Sequence, residues 1–198
     1  MILYGASGHA KVIIDILIKN DVKISTIIDD NIKVNKILNY RVKQYKDSVI
    51  NKEVIISIGN NHIRKSIADK LNTAAFGKAI HPKTIIDSTS IINKGTVIMA
   101  SAVINASVTI GKHCIINTNS IIEHDCKINN FVHVSPNVTL CGNVIIGEGT
   151  HIGAGAIIIP NIKIGKWCTI GAGSVVINNI PDYATVVGNP ARVIKLNK

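Results

Sequence analysis

The sequence predicts a small Rossmann-like α/β domain followed by a parallel β-helix of hexapeptide repeats. The β-helix is predicted by an aliphatic residue at every sixth position from Ile86 to Val176, sixteen in succession without a gap. A period of six fits neither an α-helix nor a hairpin array, but it is typical of a triangular solenoid with three hexads per coil. The α/β domain is predicted by short apolar strands that alternate with helical patterns in the first 80 residues.

The first domain, residues 1–80, contains two strand–loop–helix units. Strands are predicted at residues 2–4, 25–28, 53–58 and 75–80, and helices at residues 10–19 and 63–71. This alternation predicts a parallel sheet, and ligands of such sheets bind at the carboxyl ends of the strands. The loops at those ends contain the candidate substrate-binding residues Gly5, Ala6, Ser7, Gly8, His9, Asp29, Asp30, Gly59, Asn60 and Asn61.

The glycine turn over residues 5–9 has two interpretations. It lacks a third glycine at the GxGxxG spacing, so a nicotinamide-dependent oxidoreductase is disfavoured. Its backbone N–H groups could face a phosphate, or the segment could be a plain tight turn, and both interpretations stay open on the segment alone.

The second domain, residues 81–198, carries the hexads. A mostly small residue stands two positions before each aliphatic residue, and three cysteines, Cys114, Cys126 and Cys168, occupy this position. We therefore expect them to be buried, structural thiols. One position after the aliphatic residue, Gly or Asn recurs, and we expect these residues to form the corners. Sixteen hexads give about five coils, so residues 18 apart should stack.

One outward face of the predicted solenoid is apolar. Its positions are Ile85, Val103, Ile121, Thr139, Ile157 and Val175. Because a monomer rarely exposes such a stripe, we infer a subunit interface. A three-sided prism packs naturally as a cyclic trimer, so we expect a homotrimer.

One segment of the β-helix has the residues for catalysis. His124 stands between Glu123 and Asp125, and the stacking places it beneath Gly142, which has no side chain to exclude a ligand. A histidine beside carboxylates is suited to general-base catalysis, and either carboxylate could orient the ring. The alternative is a surface histidine beside solvated acids.

Composition excludes several classes of protein. The net charge of +10 is spread along the chain with no nucleic-acid-binding motif, which favours anionic small ligands such as nucleotides or coenzyme A over nucleic acid. The absence of a long apolar run and of a signal peptide predicts a cytoplasmic protein without a membrane partner. His133 and His151 should stack, but the histidine spacing does not fit a shared zinc site, so no metal is expected.

Motifs in both domains resemble one family. They are YGASGH at residues 4–9, DD at 29–30, GNNHIRK at 59–65, EHDC at 123–126 and IPDYATVVGNPARVI at 180–194. Together they resemble the hexapeptide-repeat acetyltransferases of the sialic acid O-acetyltransferase and UDP-4-amino-sugar (bacillosamine) N-acetyltransferase type. The resemblance covers essentially the whole chain and implies a left-handed β-helix.

The resemblance also implies roles for single residues. His124 would be the general base, Asp125 or Glu123 would orient it, and the Gly142 N–H would contact the thioester carbonyl. The residues that would contact the donor acetyl-CoA are His133, Gly142, Gly153, Ala154, Gly171, Ala172, Asn189 and Pro190. The candidate substrate-binding residues of the first domain would hold the nucleotide part of the acceptor.

The expected function is acetyl-CoA-dependent N-acetylation of the 4-amino group of a nucleotide-linked amino sugar. The family suggests a UDP-linked sugar and a pathway of bacterial surface glycan or glycoprotein biosynthesis. Acetyl-CoA is the expected donor substrate, and no metal is expected. Because no nucleophile motif is present, we expect direct transfer of the acetyl group without an acyl-enzyme. The nearest alternative is a sialic acid O-acetyltransferase, and a distant one is a non-catalytic β-helix scaffold.

Overall fold

The computed structural model describes residues 1–45 and 52–196, and its architecture is the predicted one. An α/β region with a five-stranded sheet is followed by a parallel β-solenoid with three sheets. The solenoid is a left-handed β-helix of hexapeptide repeats.

The N-terminal sheet is built from two β–α units, as predicted. Its elements are β1 (Ile2–Tyr4), α1 (Gly8–Lys19), β2 (Thr26–Ile28), β3 (Lys36–Ile37), β4 (Tyr40–Lys43), β5 (Val54–Ile56) and α2 (Asn61–Lys70). The strand order is β3-β4-β2-β1-β5, and all pairings are parallel except that of β3 with β4. The β3–β4 hairpin was not predicted, because its strands are short and carry few apolar residues.

The solenoid consists mostly of two-residue strands. In chain order they are β6 (Ala79–Ile80), β7 (Ile85–Ile86), β8 (Ile91–Ile92), β9 (Val97–Ile98), β10 (Val103–Ile104), β11 (Thr109–Ile110), β12 (Ile115–Ile116), β13 (Ile121–Ile122), β14 (Lys127–Ile128), β15 (His133–Val134), β16 (Thr139–Leu140), β17 (Ile145–Ile146), β18 (His151–Ile152), β19 (Ile157–Ile158), β20 (Lys163–Ile164), β21 (Thr169–Ile170) and β22 (Val175–Val176). A closing antiparallel hairpin has strands β23 (Ala184–Gly188) and β24 (Ala191–Leu196).

These strands form three faces. The apolar face contains β7, β10, β13, β16, β19 and β22, and the lysine face contains β8, β11, β14, β17 and β20. The histidine face contains β6, β9, β12, β15, β18 and β21, and is extended by β23 and β24. Each face has at least five strands, which fits the predicted number of coils.

The predicted inward positions fill the interior of the prism. The repeating aliphatic residues from Ile98 to Val176 are fully buried in one cluster, together with the three predicted cysteines. Inward hydroxyls join coils, since Thr150 Oγ1 donates to the Gly165 carbonyl at 2.8 Å and accepts from the Cys168 N–H at 3.0 Å. Small inward hydroxyl residues thus fit the narrow interior and also form hydrogen bonds with backbone groups there.

The corners differ from the prediction. The residues with left-handed φ lie three positions after the aliphatic residue, as at Asn119, Asn143 and Gly155, and not one position after it. Where glycine stands one position after, the reason is close stacking. A Cβ on Gly147 would lie well inside contact distance of the Gly165 backbone in the next coil.

The α/β region packs on the histidine face. The buried side of α1 forms one apolar cluster with Val97 and Ile115, the outward residues of β9 and β12. The strand predicted at 75–80 covers only Ala79–Ile80, and it pairs with β9 in the solenoid. The first strand of the solenoid therefore lies inside the segment predicted as the first domain.

The predicted apolar stripe lies on one sheet. Ile85, Ile121 and Ile157 are 67%, 37% and 42% exposed, although they are large aliphatic residues.

Among the described residues, no helix is long and apolar enough to cross a membrane.

The two kinds of glycine should respond differently to substitution. Gly147→Ala should lower the free energy of unfolding by about 1–3 kcal/mol, because the new Cβ meets backbone that cannot give way. Gly155→Asn should cost less than about 1 kcal/mol, because its left-handed corner has open space and asparagine tolerates that conformation. Urea unfolding of both variants checks this, and equal losses would contradict the assignment.

Candidate active site

The predicted catalytic residues meet at the edge between the apolar and lysine faces. His124 Nδ1 lies 2.8 Å from Asp125 Oδ2, and both side chains are exposed. Asp125 occupies the left-handed corner with φ 62°, and this turn brings its carboxylate beside the ring that precedes it. With Nδ1–H donated to the carboxylate, the neutral ring carries its lone pair on Nε2, which is free to accept a proton.

The second carboxylate points elsewhere. Glu123 Oε2 accepts a hydrogen bond from Asn105 Nδ2, one coil away, at 2.8 Å. Of the two acids that the sequence left open as partners of His124, only Asp125 contacts the ring in the described structure.

Gly142 lies over the His124 ring, as the stacking arithmetic predicted. A Cβ on Gly142 would be 2.7 Å from Cε1 and 2.8 Å from Nε2 of His124, so a larger residue would displace the ring. The Asn143 N–H donates to the His124 carbonyl at 2.9 Å and holds the two corners together. Within residues 1–45 and 52–196, no acceptor takes a hydrogen bond from the Gly142 N–H, so that donor is available.

Six of the eight residues expected to contact the coenzyme lie on a different edge, between the histidine and apolar faces. Gly153 stacks on the next coil, where its Cβ would be 2.6 Å from the Ala172 nitrogen. The β23–β24 hairpin continues this edge, because the Gly188 N–H donates to Ser174 Oγ at 3.2 Å. The members of this group are Gly153, Ala154, Gly171, Ala172, Asn189 and Pro190. Within one chain, the apolar face separates this group from His124.

His133 lies on the histidine face, away from both edge groups. Its Nε2 is 3.2 Å from Asn117 Nδ2, and its ring stacks on that of His151 with centroids 4.9 Å apart. Burial, assisted by His151, Arg64 and His9, lowers the pKa of His133 to about 3. The ring is therefore neutral at physiological pH.

The glycine turn of the first domain is held by Asp29. Asp29 Oδ2 accepts from the Ala6 N–H at 2.7 Å, and its Oδ1 accepts from the Asn31 N–H at 2.8 Å. Gly5 has φ +112°, and a Cβ there would be 2.5 Å from Ile58 Cγ1, so only glycine fits. Both Asp29 oxygens thus have partners within the protein, and Asp29 shapes the turn.

The other predicted acceptor residues are partly committed to the structure. Asp30 accepts from the Tyr4 hydroxyl at 2.7 Å but is largely exposed. Asn60 caps α2 by accepting from the Ile63 N–H at 3.0 Å. Asn61 is buried, and its Nδ2 donates to the Gly149 carbonyl at 2.9 Å. Ser7 precedes α1 without a side-chain hydrogen bond that caps the helix.

Arg64 joins these loops to the solenoid, a role that its place in a helical pattern did not reveal. It is 1% exposed, and five hydrogen bonds use its five N–H donors. The acceptors are the carbonyls of His113 (2.8 Å), Ile58 (3.0 Å), Gly59 (3.0 Å) and Phe131 (2.9 Å) and the Asn61 Oδ1 (2.7 Å). None of these acceptors is a carboxylate, so the guanidinium is a buried, fully hydrogen-bonded cation with no counter-ion among residues 1–45 and 52–196.

A cleft of about 420 Å³ lies between the start of α2 and the histidine face. Its lining residues are Gly59, Asn60, Asn61, His62, His133, Gly149, His151, Trp167, Cys168 and Thr169. The sequence analysis identified only some of these residues, because the cleft is formed by segments about 70 to 110 residues apart whose contact depends on the packing of the α/β region.

No metal centre is apparent in the part of the chain that the structure describes, since no group of three His, Cys, Asp or Glu residues could hold an ion.

Comparison with known proteins gives separate matches for the α/β region and for the solenoid. Residues 1–71 match the family model of the PglD N-terminal domain, and residues 143–178 match that of the bacterial transferase hexapeptide (six repeats). The acetyltransferase domain of PglB from Neisseria gonorrhoeae FA1090 is 32% identical, with 98% of both chains covered and a TM-score of 0.92. The chain belongs to the hexapeptide-repeat acetyltransferases.

Two other structures of this acetyltransferase fold are similar over nearly the whole chain. PerB from Caulobacter crescentus, in complex with CoA and GDP-perosamine, is 29% identical, with 98% of this chain and 96% of PerB covered and a TM-score of 0.92. WeeI from Acinetobacter baumannii AYE is 29% identical, with 98% of both chains covered and a TM-score of 0.90. A comparison with curated protein sequences gives no match.

The buried histidines should make the stability of this acetyltransferase depend on pH. Burial, assisted by Arg64, lowers the pKa of His9 to about 4, and His133 has a pKa of about 3. The unfolded chain, in which histidine titrates near about 6.5, therefore binds more protons than the folded chain in this range. The free energy of unfolding should fall as the pH falls from about 6.5 to about 4.

Urea unfolding at several pH values checks this dependence. The variant His9→Gln lacks one of the titrating imidazoles, so its stability should fall less steeply than that of the wild type. A wild-type stability that is flat across this range would contradict the account.

Proposed function

We propose that the protein transfers the acetyl group of acetyl-CoA to the 4-amino group of a nucleotide-linked amino sugar. The observation that carries the proposal is the His124–Asp125 pair, whose ring lies against Gly142 with Nε2 within 2.8 Å of where a Cβ of that glycine would be. It occurs in a fold that is shared over nearly the full length with PerB, whose structure contains CoA and GDP-perosamine.

The pair supports a one-step proton transfer. His124 Nε2 takes the proton of the amine as its nitrogen attacks the thioester carbonyl carbon. The Asp125 carboxylate stabilises the imidazolium, and the Gly142 N–H donates to the carbonyl oxygen as it gains charge. The carbon–sulfur bond then breaks, and the proton on His124 passes to the leaving thiolate to give CoA. The protein groups proposed for these steps, His124, Asp125 and Gly142, lie at one edge of the solenoid.

The nearby thiols support direct transfer over an acyl-enzyme. Cys141 precedes Gly142, and burial together with the charge of Glu123 raises the pKa of its thiol. Burial raises the pKa of Cys126 to about 11. Neither thiol would be an effective nucleophile at neutral pH, because the reactive form is the thiolate.

A homotrimer would complete the site. The His124 edge and the Gly153 edge border the apolar face on opposite sides. If three copies turn their apolar faces to a common axis, the Gly153 edge of one copy lies against the His124 edge of the next. The exposed isoleucines would be buried by the same contact, so one arrangement would satisfy both the packing and the chemistry.

The acceptor would bind at the carboxyl ends of β1, β2 and β5. The predicted loops there, residues 5–9, 29–30 and 59–61, remain our proposal for its nucleotide part, with residues 1–80 as the acceptor domain and 81–198 as the acetyltransferase domain. Exposed Asp30 could accept hydrogen bonds from the ribose of this nucleotide. A need for acetyl-CoA fits a cytoplasmic enzyme of surface glycan or glycoprotein biosynthesis.

Release of free CoA thiol tests the proposal most simply. Acetyl-CoA would be supplied with UDP-, GDP- and CDP-linked 4-amino sugars and with free sialic acid. Turnover with a 4-amino nucleotide sugar is expected. The compound that reacts identifies which nucleotide the natural acceptor carries. Turnover with sialic acid alone would instead support O-acetylation, and no turnover with any acceptor would favour the scaffold interpretation.

The His124 base makes a prediction of its own. His124→Ala should lower kcat by about 10²–10⁴-fold, because the amine loses its proton acceptor. The acceptor KM should change little, since the nucleotide binds elsewhere. Steady-state kinetics measure both values.

Lys127→Ala provides a control for the His124 variant, because it removes an exposed side chain of the lysine face near the same edge. This variant should retain wild-type turnover. If His124→Ala also kept turnover within about threefold of wild type, His124 would not be the base.

A further inference from the structure

The outer end of the cleft carries an aromatic pair that the proposed transfer does not use. Trp167 stands at the edge between the lysine and histidine faces, and His62 is in the first turn of α2. Their rings stack with centroids 4.2 Å apart and an interplanar angle of 19°. Both residues line the cleft.

The packing around the indole shows which of its faces is accessible. Gly149, one coil away, lies against ring atoms Cδ2, Cε3 and Cζ3 of Trp167, where any Cβ would clash. This contact is therefore fixed by the solenoid. His62, by contrast, is exposed and is held on the indole by the ring stack. The imidazole thus occupies a flat surface that a planar heterocycle of similar thickness could take over.

We propose that Trp167 is the stacking platform for the base of the acceptor nucleotide, and that His62 covers this platform until the base displaces it. The proposal rests on the proposed function and adds the residues that would hold the base. The cleft, of about 420 Å³, lies within the usual size range of small-molecule sites.

The position of the cleft favours the acceptor over the coenzyme. One wall is the loop of residues 59–62 from the α/β region, and the floor is His151 and Thr169 on the histidine face. Six of the eight proposed coenzyme residues, all except His133 and Gly142, lie at the opposite border of that face. An acceptor with its base at Trp167 would cross the histidine face toward the edge where acetyl transfer is proposed.

The floor of the cleft suits the polar groups between base and sugar. His133 and His151 are held neutral chiefly by burial, which lowers the pKa of both. His151 Nε2 lies 2.9 Å from Ser135 Oγ, whereas the His133 ring contacts both Asn117 Nδ2, at 3.2 Å, and the Gly59 backbone. Arg64 beneath the loop adds a positive charge without a carboxylate partner, which favours an anionic diphosphate in the cleft.

Fluorescence gives a direct test, because Trp167 is the single tryptophan of the chain. UDP, GDP, CoA and inorganic pyrophosphate would be titrated separately into the wild-type protein. We expect saturable quenching by at least one of the nucleoside diphosphates and none by pyrophosphate, which has no base. Equal responses to pyrophosphate, no response to either nucleoside diphosphate, or quenching by CoA alone would overturn the proposal.

Substitution of His62 separates a cover from a simple packing residue. His62→Ala should tighten binding of the quenching nucleotide by about twofold to tenfold, because the base no longer competes with the imidazole. Ile63→Ala is the matched control, since Ile63 is the exposed neighbour in the same turn and does not line the cleft. Unchanged or weaker binding in His62→Ala would overturn the role of His62 as a cover.

Trp167→Ala tests the platform in turnover. The acceptor KM should rise by about fivefold to a hundredfold, while the acetyl-CoA KM stays at the wild-type value. A rise in the acetyl-CoA KM instead would overturn the assignment to the acceptor. The fluorescence titration needs no turnover, so quenching by a nucleotide in a protein that transfers no acetyl group would reject the proposed function and retain the base site.

Discussion

The structure depends on one constraint, the register of hydrogen bonds between coils. Backbone bonds such as Asn143 N–H to the His124 carbonyl and Gly153 N–H to the Ile170 carbonyl repeat around the prism. Because the register is fixed, each side chain meets the residue 18 positions away, as Asn105 meets Glu123. Each edge of the prism therefore consists of residues that recur 18 positions apart in the sequence. The His124 site lies at one such edge, and the proposed coenzyme residues lie at another.

The attachment of the α/β region is a second, electrostatic feature. In the described part of the chain, Arg64 is buried without a carboxylate partner, an arrangement that is tolerable because all five of its donors are satisfied. Its hydrogen bonds connect the loop before α2 to two coils of the solenoid, so the acceptor loops are held at a fixed place on the histidine face. Its charge adds to burial in keeping His9 and His133 neutral.

Much of the solenoid could be predicted because its pattern is strictly local. The hexads determine which residues point inward, and the stacking of Gly142 over His124 follows by counting. The left-handed position of the corners was missed, because Gly and Asn recur at two positions of the hexad and Ser, Phe and Trp also occupy the left-handed one. Arg64 and the cleft at Trp167 were missed because they depend on how two segments distant in sequence pack together.

The central claim is that acetyl transfer takes place between two copies of the chain. One copy provides His124, and the other provides the Gly153 edge, which includes Ala172. Co-expression of His124→Ala with Ala172→Trp, which should block that exposed edge, tests it directly. Each variant alone should be inactive. The co-expressed population should regain about a quarter of the wild-type activity, because about three quarters of randomly assembled trimers are mixed and about one interface in three of each mixed trimer joins two intact edges. Mixed trimers as inactive as either parent would contradict the account.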